Sequence, residues 1–285
     1  MILSASRRTD IPAFYSDWFF NRLKAGYLQV VNPYNKNQIR TIELSPDKVE
    51  CIVFWTKDPA DFISRLNLLQ EYNYYFLFTV NSYPDQIEQN LRSSQQIIRT
   101  FRQLSALLSP ERVIWRYDPI FFCQGIDEEF QLRNFDYLTG KLADYTEKCI
   151  ISFIDYYQKT SRKMSRFLPE EISDCQKINF LKKLEKIASR SGIKIEICSE
   201  AADYAEIGIE KASCIDLNLI NQLTGKKLKL PKDPNQRKSC NCVVSVDIGT
   251  YNTCKHNCLY CYASNNCKVI NTVRQNPDSP FIGNI

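Results

Sequence analysis

The chain has 285 residues, 44% of them hydrophobic, and a formal net charge of +5. This apolar content predicts a globular protein and excludes a disordered one, and no apolar run reaches the roughly 18 residues that a membrane span needs. Residues 1–8 lack the basic region and apolar core of a secretory signal, so we expect a cytoplasmic protein. The single histidine, His256, argues against Ser-His-Asp catalysis and two-histidine metal sites.

Short apolar runs alternate with amphipathic segments along the first two-thirds of the chain. Strands are predicted at Ile2–Ser6, Tyr27–Val31, Cys51–Thr56, Tyr74–Val80, Val113–Tyr117, Cys149–Ile154 and Lys194–Cys198. Helices are predicted at Tyr15–Ala25, Pro59–Glu71, Asp85–Leu107, Asp127–Thr146, Pro169–Arg190 and Glu200–Glu206. The alternation predicts an α/β fold with a parallel sheet covered by helices, curled into a partial (β/α)6 TIM-like barrel over residues 1–208.

The strand–helix alternation ends near residue 208. Residues 209–285 are rich in Cys, Asn, Lys and Pro, and we expect an iron–sulfur segment that packs over the barrel mouth. An apolar run at Val243–Val246 predicts a strand leading into a cysteine loop. The basic residues between Lys226 and Lys238 predict a solvated linker, with contact to nucleic acid as the alternative.

Polar side chains follow the predicted barrel strands. The candidate catalytic residues are Arg7, Arg8, Asp10, Lys57, Arg116, Asp118 and Glu200. Parallel strands bring their carboxyl ends to one rim, and a guanidinium matches two oxygens of a carboxylate or phosphate. The pattern therefore predicts a pocket for an anionic small molecule or nucleotide-like substrate, in which Asp10 and Asp118 bind ribose hydroxyls or orient the arginines. The alternative is that such residues are ordinary loop polar groups and helix caps.

Three of the 12 cysteines form a close run, Cys254, Cys258 and Cys261, with the spacing Cys-x3-Cys-x2-Cys; residues 254–261 are called the cysteine loop below. In a reducing compartment, clustered cysteines indicate metal or redox chemistry rather than disulfides. Three thiolates would hold three corners of a [4Fe–4S] cluster and leave one iron open. The alternative is a zinc site that borrows His256 or Cys267.

A second group of four cysteines, called the four-thiol set below, consists of Cys198, Cys214, Cys240 and Cys242. Four thiolates would complete a second iron–sulfur cluster or a zinc site. The Cys-x-Cys spacing of Cys240 and Cys242 favours separate iron corners, so we predict a second [4Fe–4S] cluster.

The stretch Cys254–Ala263, with an aromatic residue before the third cysteine, resembles the cluster loop of the radical S-adenosylmethionine superfamily. The resemblance implies a [4Fe–4S] cluster whose open iron binds S-adenosylmethionine, a partial barrel, and an electron donor such as flavodoxin or ferredoxin. In that superfamily the loop follows the first strand, whereas here it comes last and no Gly-Gly-Glu follows it. A circular permutation would place Val243–Val246 beside Ile2–Ser6. Contacts to the cofactor would then come from Arg7, Asp10, Lys57, Asp118 or Glu200.

The whole chain resembles the domain of unknown function 1848 family. The matching segments are Ser4–Pro12, Ile52–Lys57, Arg116–Pro119 and Ser245–Gly249. That family implies no particular reaction. The sequence thus predicts an iron–sulfur enzyme of radical S-adenosylmethionine type. Two alternatives stay open: an iron–sulfur protein whose open iron binds substrate directly, and a zinc-stabilised barrel that binds nucleic acid.

Overall fold

A computed structural model describes residues 1–155, 158–264 and 275–283 and shows an α/β protein built on a parallel sheet. The strands are β1 (Ile2–Ala5), β2 (Tyr27–Asn32), β3 (Asn35–Glu43), β4 (Cys51–Thr56), β5 (Tyr74–Thr79), β6 (Val113–Ile120), β7 (Lys148–Phe153), β8 (Lys194–Ile197), β9 (Glu210–Lys211) and β10 (Val246–Asp247). Eight of them form one sheet in the order β10-β1-β4-β5-β6-β7-β8-β9, and β2 and β3 form a separate antiparallel hairpin. The predicted α/β class is therefore confirmed, with β9 and β10 as the outer strands of an open sheet among the described residues.

Helices follow most of the sheet strands. They are α1 (Ile11–Phe14), α2 (Ser16–Ala25), α3 (Ala60–Ile63), α4 (Ser94–Leu108), α5 (Glu128–Leu142), α6 (Gln158–Met164), α7 (Asp174–Ser189) and α8 (Leu217–Thr224). Capping boxes at Ser93 and Ser173 start α4 and α7, because each serine and the glutamine three residues later satisfy backbone N–H groups at the helix start. The predicted starts at Asp85 and Pro169 are therefore wrong, and α8 was not predicted.

Both faces of the sheet are apolar, as expected for parallel strands covered on both sides. Phe54, Phe76 and Trp115 belong to the main core, together with buried residues of the helices. The alternate residues Tyr75 and Leu77 belong to a second core, which includes α8 residues and parts of the segment 212–243. The C-terminal third of the chain therefore covers the sheet face that the helices α2 to α7 leave open.

The end of the chain returns to its beginning. Strand β10 pairs in parallel with β1, with Leu3 opposite Val246 and Ser4 opposite Asp247. The predicted pairing of this segment with the first strand is confirmed, although the strand starts later than predicted. The chain after β10 therefore leads into the cysteine loop from beside β1. No helix in the described ranges combines the length and apolar character needed to cross a membrane.

Candidate functional site

A cavity of about 210 Å³ lies at the carboxyl ends of β1, β4, β6 and β7. Its walls include the three cysteines of the cysteine loop and every predicted catalytic residue except one. These residues are Cys254, Cys258, Cys261, Arg7, Arg8, Asp10, Lys57, Arg116 and Asp118. The exception is Glu200, whose carboxylate lies 3.2 Å from Lys177 Nζ in an ion pair outside the cavity lining. The fold therefore brings together residues that lie up to 254 positions apart.

The cysteine loop is held against residues 81–93, the segment between β5 and α4. The Asn90 backbone N–H donates to His256 O at 3.1 Å, and the Leu259 N–H donates to Ile87 O at 3.0 Å. Glu88 and Cys258 form a short antiparallel bridge between the same segments. The sequence prediction missed this contact surface because it assigned residues 85–93 to a helix. In the structure these residues form a loop.

Asp10 joins three parts of the site through its carboxylate. Its Oδ1 accepts from the Ala13 N–H at 3.0 Å and so caps α1, while its Oδ2 accepts from the Lys57 N–H at 2.7 Å. The same Oδ2 lies 2.8 Å from His256 Nε2, and both side chains are about 95% buried. With these partners, Asp10 fixes the cysteine loop to the ends of β1 and β4. That positioning role differs from the ribose contact considered for Asp10 on sequence grounds.

A buried ion pair lies directly behind the loop. Lys57 Nζ is 2.6 Å from Glu88 Oε1, and the two side chains are 15% and 4% exposed. Glu88 also accepts from the Tyr260 hydroxyl and from Asn81 Nδ2. Burial alone would lower the pKa of Lys57, but the charges of Glu88 and Cys258 outweigh it and raise that pKa. Sequence analysis missed Glu88, since a lone glutamate inside a predicted amphipathic helix gives no signal.

Two arginines flank the Trp55 ring at the base of the cavity. The guanidinium carbons of Arg7 and Arg116 lie 5.0 Å and 4.8 Å from the ring centroid. Arg116 Nη2 is 2.7 Å from Asp118 Oδ2, and Asp118 also accepts from the Ser152 hydroxyl. Arg7 Nη2 and Arg116 Nε are buried and have no hydrogen-bond partner among the described residues. These cations therefore retain donors for a ligand.

Asp247 fixes the end of β1, a role that sequence analysis did not assign. Its carboxylate accepts from the Ser6 hydroxyl at 2.5 Å, the Arg7 N–H at 2.9 Å and the Gly249 N–H at 3.0 Å. A Cβ added at Gly249 would lie 2.1 Å from Ser6 Oγ, so only glycine fits this close approach. The sequence signal for this role was the family resemblance of the Ser245–Gly249 segment.

The four-thiol set lies against the sheet face covered by segment 212–243. Cys198 Sγ and Cys214 Sγ are 3.8 Å apart, and the Ile215 N–H donates to Cys242 Sγ at 3.3 Å. Hydrogen bonds from Cys214 and Cys240, and then the charge of Arg7, lower the pKa of Cys242. The structure thus brings all four predicted cysteines together. Cys267 lies outside the described residues.

Within the cysteine loop, burial raises the pKa of each thiol, to about 12 for Cys258. The charge of the Cys261 thiol raises the pKa of Cys254 further. Among the described residues, no three His, Cys, Asp or Glu side chains form a preformed metal-binding group, so either group of cysteines would have to close around a metal on binding it.

Comparison with known proteins adds one finding. The model of a family described as a domain of unknown function, DUF1848, matches residues 2–263. No curated protein matches the sequence.

Proposed function

The chain belongs to the domain of unknown function 1848 family, and we propose that it is an iron–sulfur enzyme of radical S-adenosylmethionine type. One observation carries the proposal: Cys254, Cys258 and Cys261 line the same cavity as the strand-end arginines. Thiolates favour iron–sulfur clusters, and three cysteines would hold three corners of a [4Fe–4S] cluster and leave the fourth for a ligand.

The donor set fits such a cluster. The three thiols are supplied by one short loop, and Lys57 contributes positive charge beside Cys258. A thiolate-bound cluster is anionic, so a nearby cation reduces the cost of burying it. When bound, the cluster and S-adenosylmethionine supply the reductive cleavage of the sulfonium. The finer fold proposal, a circularly permuted radical S-adenosylmethionine core, is supported by the pairing of β10 with β1.

The protein side chains would bind and orient the anionic ligand. Arg7 and Arg8 form no ion pair among the described residues, whereas the Arg116 guanidinium is engaged by Asp118. The first two arginines are therefore the available partners for a carboxylate or phosphate. Asp118 keeps a fixed orientation through Arg116 and Ser152, which suits contact with ribose hydroxyls. An external electron donor such as flavodoxin or ferredoxin completes the proposed system.

The test is anaerobic reconstitution with iron and sulfide, followed by reduction and detection of 5′-deoxyadenosine. We expect the wild-type protein to cleave S-adenosylmethionine and the Cys254→Ala/Cys258→Ala/Cys261→Ala variant to lose cleavage. Cys149→Ala is the matched control, because Cys149 is fully buried in the main core and lies outside the cavity lining.

Three results would separate the alternatives. A wild-type cluster that neither cleaves S-adenosylmethionine nor changes its electron paramagnetic resonance signal on adding it would overturn the reaction class. If that signal instead shifts with a substrate anion alone, the open iron binds substrate directly. Zinc without acid-labile sulfide would favour the zinc-stabilised barrel that binds nucleic acid through residues 226–238.

A further inference from the structure

We propose that the four-thiol set holds a second iron–sulfur cluster, buried against the sheet and separated from the cavity by Arg7, Trp55 and Arg116. The proposal concerns a site of its own and stands whether or not the cavity binds S-adenosylmethionine.

The first argument is that the chain builds this site from three separate segments. Cys198 follows β8, Cys214 follows β9, and Cys240 and Cys242 lie between α8 and β10. Two hydrogen bonds join these segments beside the thiols, and a third joins Cys214 to β5. These run from Ser239 Oγ to Ser199 O at 2.9 Å, from Ser213 Oγ to Asn241 O at 3.1 Å, and from Tyr75 Oη to Cys214 O at 2.7 Å. The convergence is therefore fixed by the fold.

The second argument concerns the surroundings of the thiols. Cys214, Cys240 and Cys242 are at most 4% exposed and sit among apolar residues of the second core. Cysteine is often a small buried hydrophobe and needs no further explanation when its neighbours are apolar. Here, however, the Arg7 side chain hydrogen-bonds Cys242, and Arg116 interacts electrostatically with Cys198 and Cys214. A buried cation next to neutral thiols is costly, whereas next to thiolates it is compensated.

The third argument distinguishes an iron–sulfur cluster from a single zinc ion. Cys240 and Cys242 are separated by one residue, whereas zinc sites usually separate paired cysteine ligands by two to four residues. A Cys-x-Cys pair suits the ligation of separate iron corners, so the spacing favours the cluster.

The position also indicates what the cluster would do. Arg116 lines the cavity and interacts electrostatically with two of the four thiols, so this side chain links the two sites. A redox centre linked to the cavity in this way is placed to pass electrons to it or to accept them from it. No covalent step on the cluster is required for this role.

The experiment compares two variants reconstituted and analysed in parallel. Cys254→Ala/Cys258→Ala/Cys261→Ala removes the cysteine loop ligands, and Cys240→Ala/Cys242→Ala removes half of the four-thiol set. We expect about eight irons and eight sulfides per wild-type chain, and about four of each in either variant. Cys51→Ala is the control, because Cys51 is buried in the same core but outside the set, and its iron content should equal that of the wild type.

Electron paramagnetic resonance of the reduced wild-type protein gives a readout that does not depend on whether the variants fold. Two cluster signals are expected, of which one disappears in the loop variant if that variant folds. A folded loop variant that binds no iron, or wild-type protein with one zinc per chain at the four-thiol set, would overturn the proposal. A loop variant that keeps about four irons but cleaves no S-adenosylmethionine supports the second cluster. The test of the second cluster is therefore separable from the test of the cavity chemistry.

Discussion

The two cysteine-rich regions are held in place by different kinds of interaction. The cysteine loop rests on buried polar contacts, chiefly the carboxylates of Asp10 and Glu88. The four-thiol set rests on the apolar face of the sheet and the segment that covers it. Polar contacts inside a protein are individually large and directional, whereas apolar packing is spread over many residues. Single polar substitutions should therefore displace the loop and leave the four-thiol set in place.

The largest effect is expected from Glu88→Gln, which leaves Lys57 charged and without its carboxylate. Removing one partner of a buried ion pair costs about 3–5 kcal/mol, because the remaining charge is uncompensated. We expect a matching fall in the free energy of unfolding from urea titration. We also expect iron to be lost from the cysteine loop before it is lost from the four-thiol set.

Glu196→Gln is the matched control for that variant. Glu196 pairs with Lys148 at 3.1 Å, but Lys148 keeps a second carboxylate, Asp216, at 3.0 Å. The remaining partner should limit the loss of stability to a fraction of that in Glu88→Gln. Equal losses in the two variants would contradict the view that Glu88 is the main partner of the Lys57 charge.

The strands of the sheet could be predicted from the sequence, whereas the contacts of the cysteine loop could not, and the reason is physical. Strands buried on both faces are continuous apolar runs, so the strands at Cys51–Thr56 and Tyr74–Thr79 were visible in the sequence. Residues 85–93 were predicted as the start of a helix, because their amphipathic pattern continues into α4 without interruption. Its hydrogen bonds go to a loop more than 160 residues later, and no local pattern encodes that pairing.

The next largest effect is expected from Gly249→Ala, which tests how closely β10 approaches β1. The new Cβ would overlap Ser6 Oγ, so the backbone or the serine must move. Overpacking of this kind costs about 1–3 kcal/mol. It should also disturb the hydrogen bonds that Asp247 makes with Ser6 and Arg7. We expect thermal unfolding at a lower temperature and weaker iron binding by the cysteine loop.

Gly140→Ala is the control for that change. Gly140 lies within α5, and a Cβ there meets no atom within 4 Å. Alanine is the better helix former by about 1 kcal/mol, so this variant should be no less stable than the wild type. If Gly249→Ala were as stable as the wild type, that result would contradict the close packing of β10 against β1.

Most candidate site residues could be found from the sequence, but the role of each residue could not. Charged residues after buried strands stand out, and Arg7, Lys57 and Arg116 do line the cavity. What each carboxylate does depends on its partners, so the capping and anchoring role of Asp10 emerges only from three-dimensional contacts. The same holds for Glu200, which follows a strand but pairs with Lys177.

The smallest effects are expected from two tyrosines that anchor the two regions in the same way. Tyr15 Oη donates to Thr253 O at 2.6 Å, next to Cys254, and Tyr75 Oη donates to Cys214 O at 2.7 Å. Tyr15→Phe removes a hydrogen bond worth about 0.5–1.5 kcal/mol, whereas Tyr75→Phe removes two, because Tyr75 Oη also accepts from the Asp216 N–H at 3.1 Å. Tyr15→Phe should weaken iron retention by the cysteine loop alone, and Tyr75→Phe that of the four-thiol set alone. Chelator-driven iron release, followed by the two electron paramagnetic resonance signals, measures both. If either variant released both clusters together, the two regions would be one cooperative unit rather than two independently anchored sites.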